Sequence, residues 1–374
     1  MGKYTLKLDK DRLAESRKRV SDYYNGRPVD RIPFSFHIQT SGLPHYNYRQ
    51  CNEDFSKFIE QTIAGVNAQF EGFPDTDYLP MFYLDFLGEG LIASMFGAEQ
   101  LVVDENPPFT RGRVLNDIDG LDKLPAKVDP ENDGWGKRLM QVCDMCMDAA
   151  GGEIPICVCD HQSPYGIATK IMDNESLMLA MYDAPEEMMR FMEIVTGAID
   201  GTIAAMERRV GKENLVKNAS APVPGGETGL ILWDDYVSVL SPEMHEKFCR
   251  PFNMKLYDKY GYGHLHTCGP YFPGYLEACL ACKPKSLDLS IMRGMSRSRE
   301  DFLRFRERTR EAGVILCGTP VVSEGSIFEN KFIEPDEEFL TEMARGGILP
   351  GGGGSYEDGV RMTEMWKRIS KRVL

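Results

Sequence analysis

A single α/β domain is what this sequence predicts: a (β/α)8 barrel of the TIM type with an N-terminal helical extension. Two observations carry it. Short apolar runs bounded by Gly, Pro and Asp alternate with longer segments of helical period, about eight times along the 374 residues. No composition break, low-complexity linker or internal repeat divides the chain, so residues 1–374 read as one domain with residues 1–30 as a helical cap.

Taken in order, a cap helix over about 9–25 precedes a first strand at 32–37. Further strands are expected at 76–81, 154–160, 216–222, 263–268, 286–290, 313–317 and 347–349. Helices are expected at 53–70, 85–97, 165–181, 185–210, 242–260, 273–282, 299–312, 337–344 and 356–370. Ala184-Pro185-Glu186 and Ser241-Pro242-Glu243 are typical starts, because proline at the first helical turn gives up an N–H that has no partner there. The glycine run at 351–354 lacks the Lys-Ser/Thr of a phosphate loop, and no Gly-x-Gly-x-x-Gly opens a helix after a strand.

Composition removes several classes of function. Apolar residues make up 42% and charged residues 27%, which suits a globular domain and excludes disordered or coiled-coil readings. The net charge of −14 is spread along the chain and disfavours nucleic acid and anionic membranes. No apolar run approaches the ~20 residues of a membrane span, and the opening residues lack the apolar core of a secretory signal, so a cytoplasmic location is expected. Thiols stay reduced there. Cys143 and Cys146, like Cys279 and Cys282, fall on helical stretches and read as small packing residues.

In a barrel of this kind, chemistry sits at the C-terminal ends of strands. The polar residues expected there are His37 and Gln39, then Asp160 and His161, Glu227, His264, His266 and Cys268, Asp288, and Cys317. His266 and Cys268 are alternate residues at one strand end, so both side chains point the same way. An imidazole and a thiolate on one face make half of a zinc site. Glu227 is the first choice for a third ligand, with Cys317 and Asp288 as alternatives. Asp160, His161 and His37 are candidates to position substrate or move protons. Gln39, Tyr165, Phe36 and Phe34 are candidates to line the mouth.

The segment from Leu240-Ser-Pro-Glu-Met-His245 to Phe252, followed by His264-Leu-His-Thr-Cys-Gly269, resembles the uroporphyrinogen decarboxylase superfamily. It is most similar in kind to the cobalamin-dependent methyltransferases that act on coenzyme M or methoxylated compounds. Arg27-Pro-Val-Asp-Arg-Ile-Pro33, Gly88-Glu-Gly-Leu-Ile-Ala-Ser-Met-Phe-Gly97 and Gly347-Ile-Leu-Pro-Gly-Gly352 agree in order. The resemblance implies a zinc-dependent methyltransferase that exchanges a methyl group between a methoxylated or thiol small molecule and a corrinoid. No corrinoid-binding module is evident in the chain, so a separate corrinoid protein is the implied partner. Two departures stand out. The arginine-rich segment by which the decarboxylases hold substrate carboxylates is replaced by Pro33-Phe-Ser-Phe-His-Ile-Gln-Thr40, and the late Pro-Gly-Cys loop reads Leu349-Pro-Gly-Gly-Gly-Gly-Ser355. The alternatives are a metal-free decarboxylase-like lyase and a barrel that binds a small ligand without turnover.

Overall fold

The computed structural model describes residues 4–38, 42–73, 75–268, 274–288, 299–318 and 337–374. Among these, ten strands occur: β1 (Ser35–Ile38), β2 (Glu99–Leu101), β3 (Phe109–Arg111), β4 (Ile156–Cys157), β5 (Leu215–Val216), β6 (Leu230–Trp233), β7 (Tyr262–His266), β8 (Ser286–Asp288), β9 (Ile315–Gly318) and β10 (Ile348–Gly354). Six form one parallel sheet in the order β1-β10-β9-β8-β7-β6. β4 and β5 form a second parallel pair, and β2 and β3 an antiparallel hairpin that the sequence reading missed. Parallel neighbours need crossover connections, and helices supply them.

Single backbone bonds carry the order onward. The Ile231 N–H donates to the Lys217 carbonyl at 2.8 Å, Phe82 bridges to Ile156, and the Asp77 N–H donates to the Phe34 carbonyl at 2.7 Å. The strands thus follow one another round from β6 through β5 and β4 to β1, though not as one closed ladder among the described residues.

The differences from the sequence reading have local causes. The strand expected at 76–81 forms no ladder; Pro80, which has no N–H to give, stands just before the lone bridge at Phe82. β6 was not foreseen, being four buried residues after Gly229, whose φ is +71°. The helix expected at 85–97 is a single turn at Asp85–Leu87 and a short helix at Leu91–Ser94, parted by Gly88 at φ +74°. Two long expected helices are each split. One breaks before Asp173, which caps the next helix by accepting from the Ser176 N–H at 3.0 Å. The other breaks at Cys249, two residues before Pro251. The glycine run belongs to β10 and pairs with β1. A Cβ on Gly352 would lie 2.7 Å from Met362 Cε and 3.0 Å from the Phe36 ring, so a side chain there would make Met362 shift where the helix Tyr356–Val373 packs onto the sheet.

The helix α1 (Lys10–Tyr24) covers the N-terminal ends of the strands. Asp9 caps it by accepting from the Arg12 N–H at 3.0 Å. Arg19, together with Arg31 from the early motif, converges on the buried Asp77 carboxylate, which also accepts from the Phe34 N–H at 3.1 Å. That cluster fixes where the chain enters β1. Outside the sheet, the 26-residue helix Pro185–Val210 buries Met188, Phe191, Met192, Val195, Ile199, Ile203 and Met206, a stripe at spacings of three and four residues. No helix among the described residues is long and apolar enough to cross a membrane.

Candidate metal and substrate site

His266 and Cys268 meet as their alternation requires: His266 Nε2 lies 3.1 Å from Cys268 Sγ at the end of β7. The third group is Asp235, two residues beyond the end of β6, the strand that pairs with β7. Ligand atoms of Asp235, His266 and Cys268 all lie within 4.8 Å of one another. The Asp235 carboxylate also accepts from the Cys268 N–H at 2.6 Å, so it fixes the thiol-bearing backbone as well. Cys268 is exposed, which leaves one side of the cluster open.

Asp288, at the end of β8, stands behind this cluster. It accepts from His266 Nδ1 at 2.9 Å, from His264 Nε2 at 3.2 Å and from the Thr267 N–H at 3.0 Å. Burial alone would raise its pKa, but His264 and His266 outweigh that and hold the carboxyl well below the usual range. Burial would lower the His266 pKa, yet Asp288 and Cys268 push it up to about 11. A carboxylate behind a histidine whose other nitrogen faces a thiol and a second carboxylate is a donor set suited to zinc, with an open fourth position.

The segment of strongest family resemblance builds the floor beneath Asp235. Asp234 is fully buried and accepts from His245 Nε2 at 3.0 Å, Asn253 Nδ2 at 2.7 Å and Ser163 Oγ at 3.1 Å. His245 and Asn253 belong to the two helices Pro242–Phe248 and Arg250–Tyr260. Their role is to hold the turn that presents Asp235.

Two adjoining cavities open at this end of the sheet, of about 440 and 190 Å3. His37, Tyr78, Leu79, Met81, Ala219 and Ser220 line both. The larger reaches His266 and Trp233, the smaller Asp288 and Cys317, and no Arg or Lys lines either among the described residues. His37 stands in the mouth with its ring edge-on to Tyr78, centroids 5.4 Å apart. Asp160 follows β4, and its carboxylate accepts from Gln162 Nε2 at 2.8 Å and the Gln162 N–H at 3.2 Å. Gln162 has φ +55°, uncommon for a residue with a side chain, so this turn is held to serve that clamp.

Other candidates fall elsewhere. Glu227 is not brought to the cluster: it precedes β6, at the N-terminal ends of the strands, where its carboxylate accepts from Ser21 Oγ. Asp235, just beyond the other end of β6, takes the place proposed for it. Phe36 is wholly buried against Phe73 and Phe34, under the helix layer and away from the mouth. Phe34 does line the smaller cavity. Tyr165 is buried, its hydroxyl donating to Asn174 Oδ1 at 2.8 Å, and lines neither mouth cavity. His161 is buried too; its Nδ1 lies 2.8 Å from the Gln162 carbonyl, and burial lowers its pKa to about 4. It packs edge-on to Trp233 and itself lines neither mouth cavity. Cys317 is buried, which pushes its thiol up to about 12. Gln39 lies outside the described residues. Asp235 was missed because β6 was missed. Its signal was present in Leu230-Ile-Leu-Trp-Asp-Asp235, an apolar run ending in paired carboxylates.

Burial raises the Asp160 pKa from 3.8 to about 6. Between those values the folded protein keeps a proton that the unfolded chain has lost, so this group makes stability fall as pH rises from about 4 to about 6. Asp160→Asn keeps the acceptor for Gln162 and removes the titration. Its stability relative to wild type should rise by about 2 kcal/mol between pH 4 and pH 7, read from urea unfolding at each pH. A difference constant across that range would remove Asp160 as a buried titrating acid.

The profile described as Uroporphyrinogen decarboxylase (URO-D) matches residues 15–208, just over half of the chain. The chain belongs to the uroporphyrinogen decarboxylase family. Among solved structures it is similar to a methyltransferase from Methanosarcina mazei, with a TM-score of 0.62 and 15% sequence identity over 94% of this chain and 98% of that one. At that identity the likeness is one of fold. No curated protein matches the chain.

Proposed function

We propose that this chain is a zinc-dependent methyltransferase on a (β/α)8 barrel whose N-terminal extension is α1. It moves a methyl group between a methoxylated or thiol small molecule and a corrinoid held by a partner protein. The observation that carries this reading is the meeting of Asp235, His266 and Cys268 at adjacent strand ends, with His266 lining a cavity where no Arg or Lys stands among the described residues. The family membership and the methyltransferase neighbour support it.

His266 Nε2, Cys268 Sγ and an Asp235 oxygen would hold the zinc. When bound, zinc supplies a Lewis acid that polarises an ether oxygen or favours the thiolate form of a thiol. A carboxylate in the place of a second sulfur makes the set harder and favours an oxygen substrate, hence a methoxy compound. Tyr78, Trp233, Leu79 and Met81 form an apolar wall that keeps water from the reacting group. His37 in the mouth would hold or move a proton, and Asp160, which lines neither cavity and whose pKa burial raises to about 6, would do so only for a group that reaches it. Among the described residues no Arg or Lys lines these cavities, so none of them offers the decarboxylase alternative the paired guanidinium groups that a polycarboxylate needs.

Metal analysis tests the reading. Purified wild type is expected to hold about one zinc per chain, and His266→Ala and Cys268→Ser to hold little. Zinc absent from wild type after reconstitution, or retained equally by both variants, would overturn it.

A further inference from the structure

Behind the metal cluster, a file of buried polar groups crosses the sheet from one end of the strands to the other. It begins at Asn218, whose amide is pinned by backbone on both sides: Oδ1 accepts from the Ser220 N–H at 3.0 Å, and Nδ2 donates to the Thr228 carbonyl at 2.9 Å. The same Nδ2 lies 3.0 Å from the Tyr24 hydroxyl and can only donate to it. Tyr24 must then give its own hydrogen to Ser286 Oγ, at 2.7 Å. Ser286, with the Cys317 thiol also within hydrogen-bond reach, gives its hydrogen to His264 Nδ1 at 2.8 Å. That leaves the His264 proton on Nε2, facing Asp288 Oδ1 at 3.2 Å. Asp288 receives it as a second histidine, His266, donates from Nδ1 at 2.9 Å.

Every bond in the file can point toward Asp288 when Ser286 turns its hydrogen to His264, and the far end is set by an amide with no alternative orientation. Tyr24, Asn218, His264 and Ser286 are all buried, so water cannot replace a lost link. Tyr24 is the last residue of α1, and its hydroxyl enters the sheet from the N-terminal side.

We propose that Asp288 is a positioning carboxylate, fixed by the chain Asn218–Tyr24–Ser286–His264, that keeps the His266 proton on Nδ1 and turns the Nε2 lone pair toward Cys268. This rests on the zinc reading for its consequence, and on hydrogen-bond geometry for its cause. Outer partners of metal-binding histidines are generally worth about 10–100-fold in metal affinity. The chain extends that influence from the mouth to the N-terminal helix. An asparagine at 288 puts an NH2 in place of one carboxylate oxygen, so one of the two imidazole N–H groups loses its acceptor.

The test combines zinc affinity, by competition with a chromophoric chelator, with imidazole 15N shifts in histidine-labelled protein. Wild type should show His264 in one state, with a hydrogen-bonded proton on Nε2. Asp288→Asn should lose about 10–100-fold in zinc affinity. Ser286→Ala and Tyr24→Phe should lose smaller but measurable factors and shift the His264 nitrogens, while circular dichroism shows a folded protein. Unchanged zinc affinity and unchanged His264 shifts in folded Ser286→Ala and Tyr24→Phe would overturn the proposal and leave the zinc reading standing. If wild type binds no zinc, the zinc reading fails, and the His264 shifts alone still decide whether the chain sets the tautomer. Should either variant fail to fold, the other carries the same comparison.

Discussion

Asp234→Ala is expected to destabilise the protein by about 3–5 kcal/mol, the range for removing one partner of a buried charged network. The carboxylate is fully buried and serves three donors from three different elements: His245, Asn253 and Ser163. Its loss leaves each of them without an acceptor in a place water does not reach, and each such orphan costs about 1–3 kcal/mol. Ser163 also caps the helix Pro164–Ile171, and its own N–H donates to the Trp233 carbonyl at 2.8 Å. The damage therefore spreads from β6 to the helix after β4. Asp235→Ala, one residue on and partly exposed, removes one hydrogen bond to the Cys268 N–H and should cost only about 1 kcal/mol. Chemical denaturation of both variants measures the contrast. An Asp234→Ala protein as stable as Asp235→Ala would mean that His245 and Asn253 find other partners, and that the 240–253 segment does not hold this turn.

That contrast shows what in the site could be read from the chain and what could not. His266 and Cys268 were legible because two residues apart on a strand is a geometric statement: the period of 2 puts them together wherever the strand goes. Asp288 was legible as a strand-end carboxylate, but whether it touches metal or histidine depends on distances of about an ångström, which spacing does not encode. Asp235 was hidden by a strand of four residues, too short to show a period, with its boundary set by the positive φ of Gly229. Glu227 lies in the connection that follows β5 and leads into β6, and by residue 227 that connection has returned to the N-terminal ends of the strands, a path that the sequence pattern does not encode. Phe36 and Tyr165 failed for another reason. Aromatic residues near a mouth are more often core, and the bulk that suggests a substrate wall also suits packing against Phe73 or Tyr236.

The fold was legible where helices open on clear sequence signals, such as a proline in the first turn. The helices Pro185–Val210 and Glu337–Ala344 have the bounds their sequence signals imply. Breaks inside long amphipathic runs were not, because a new cap at Asp173 or a proline two residues after Cys249 interrupts the chain without interrupting the apolar stripe.

Asp235→Ala is expected to lower zinc affinity at least about 100-fold, beyond what an outer partner of a histidine ligand is worth, while Glu227→Ala leaves it unchanged. The two residues were rivals for one role, and the structure separates them by the full height of the sheet. Asp235 presents an oxygen within 4.8 Å of both His266 and Cys268, whereas Glu227 binds Ser21 beside Arg27. Two variants divide the functions of Asp235. Asp235→Asn keeps an acceptor for the Cys268 N–H but gives up the anionic ligand, so it should lose zinc nearly as far as alanine does while keeping wild-type stability. Cobalt substitution adds a second signal. Cys268→Ser should abolish the thiolate-to-metal absorption altogether, and Asp235→Asn should retain that absorption at higher cobalt concentration, because sulfur remains in the set. Zinc affinity unchanged in Asp235→Ala would leave His266 and Cys268 without their third ligand. A loss in Glu227→Ala comparable to that in Asp235→Ala would place the metal at the wrong end of the strands for the chemistry proposed.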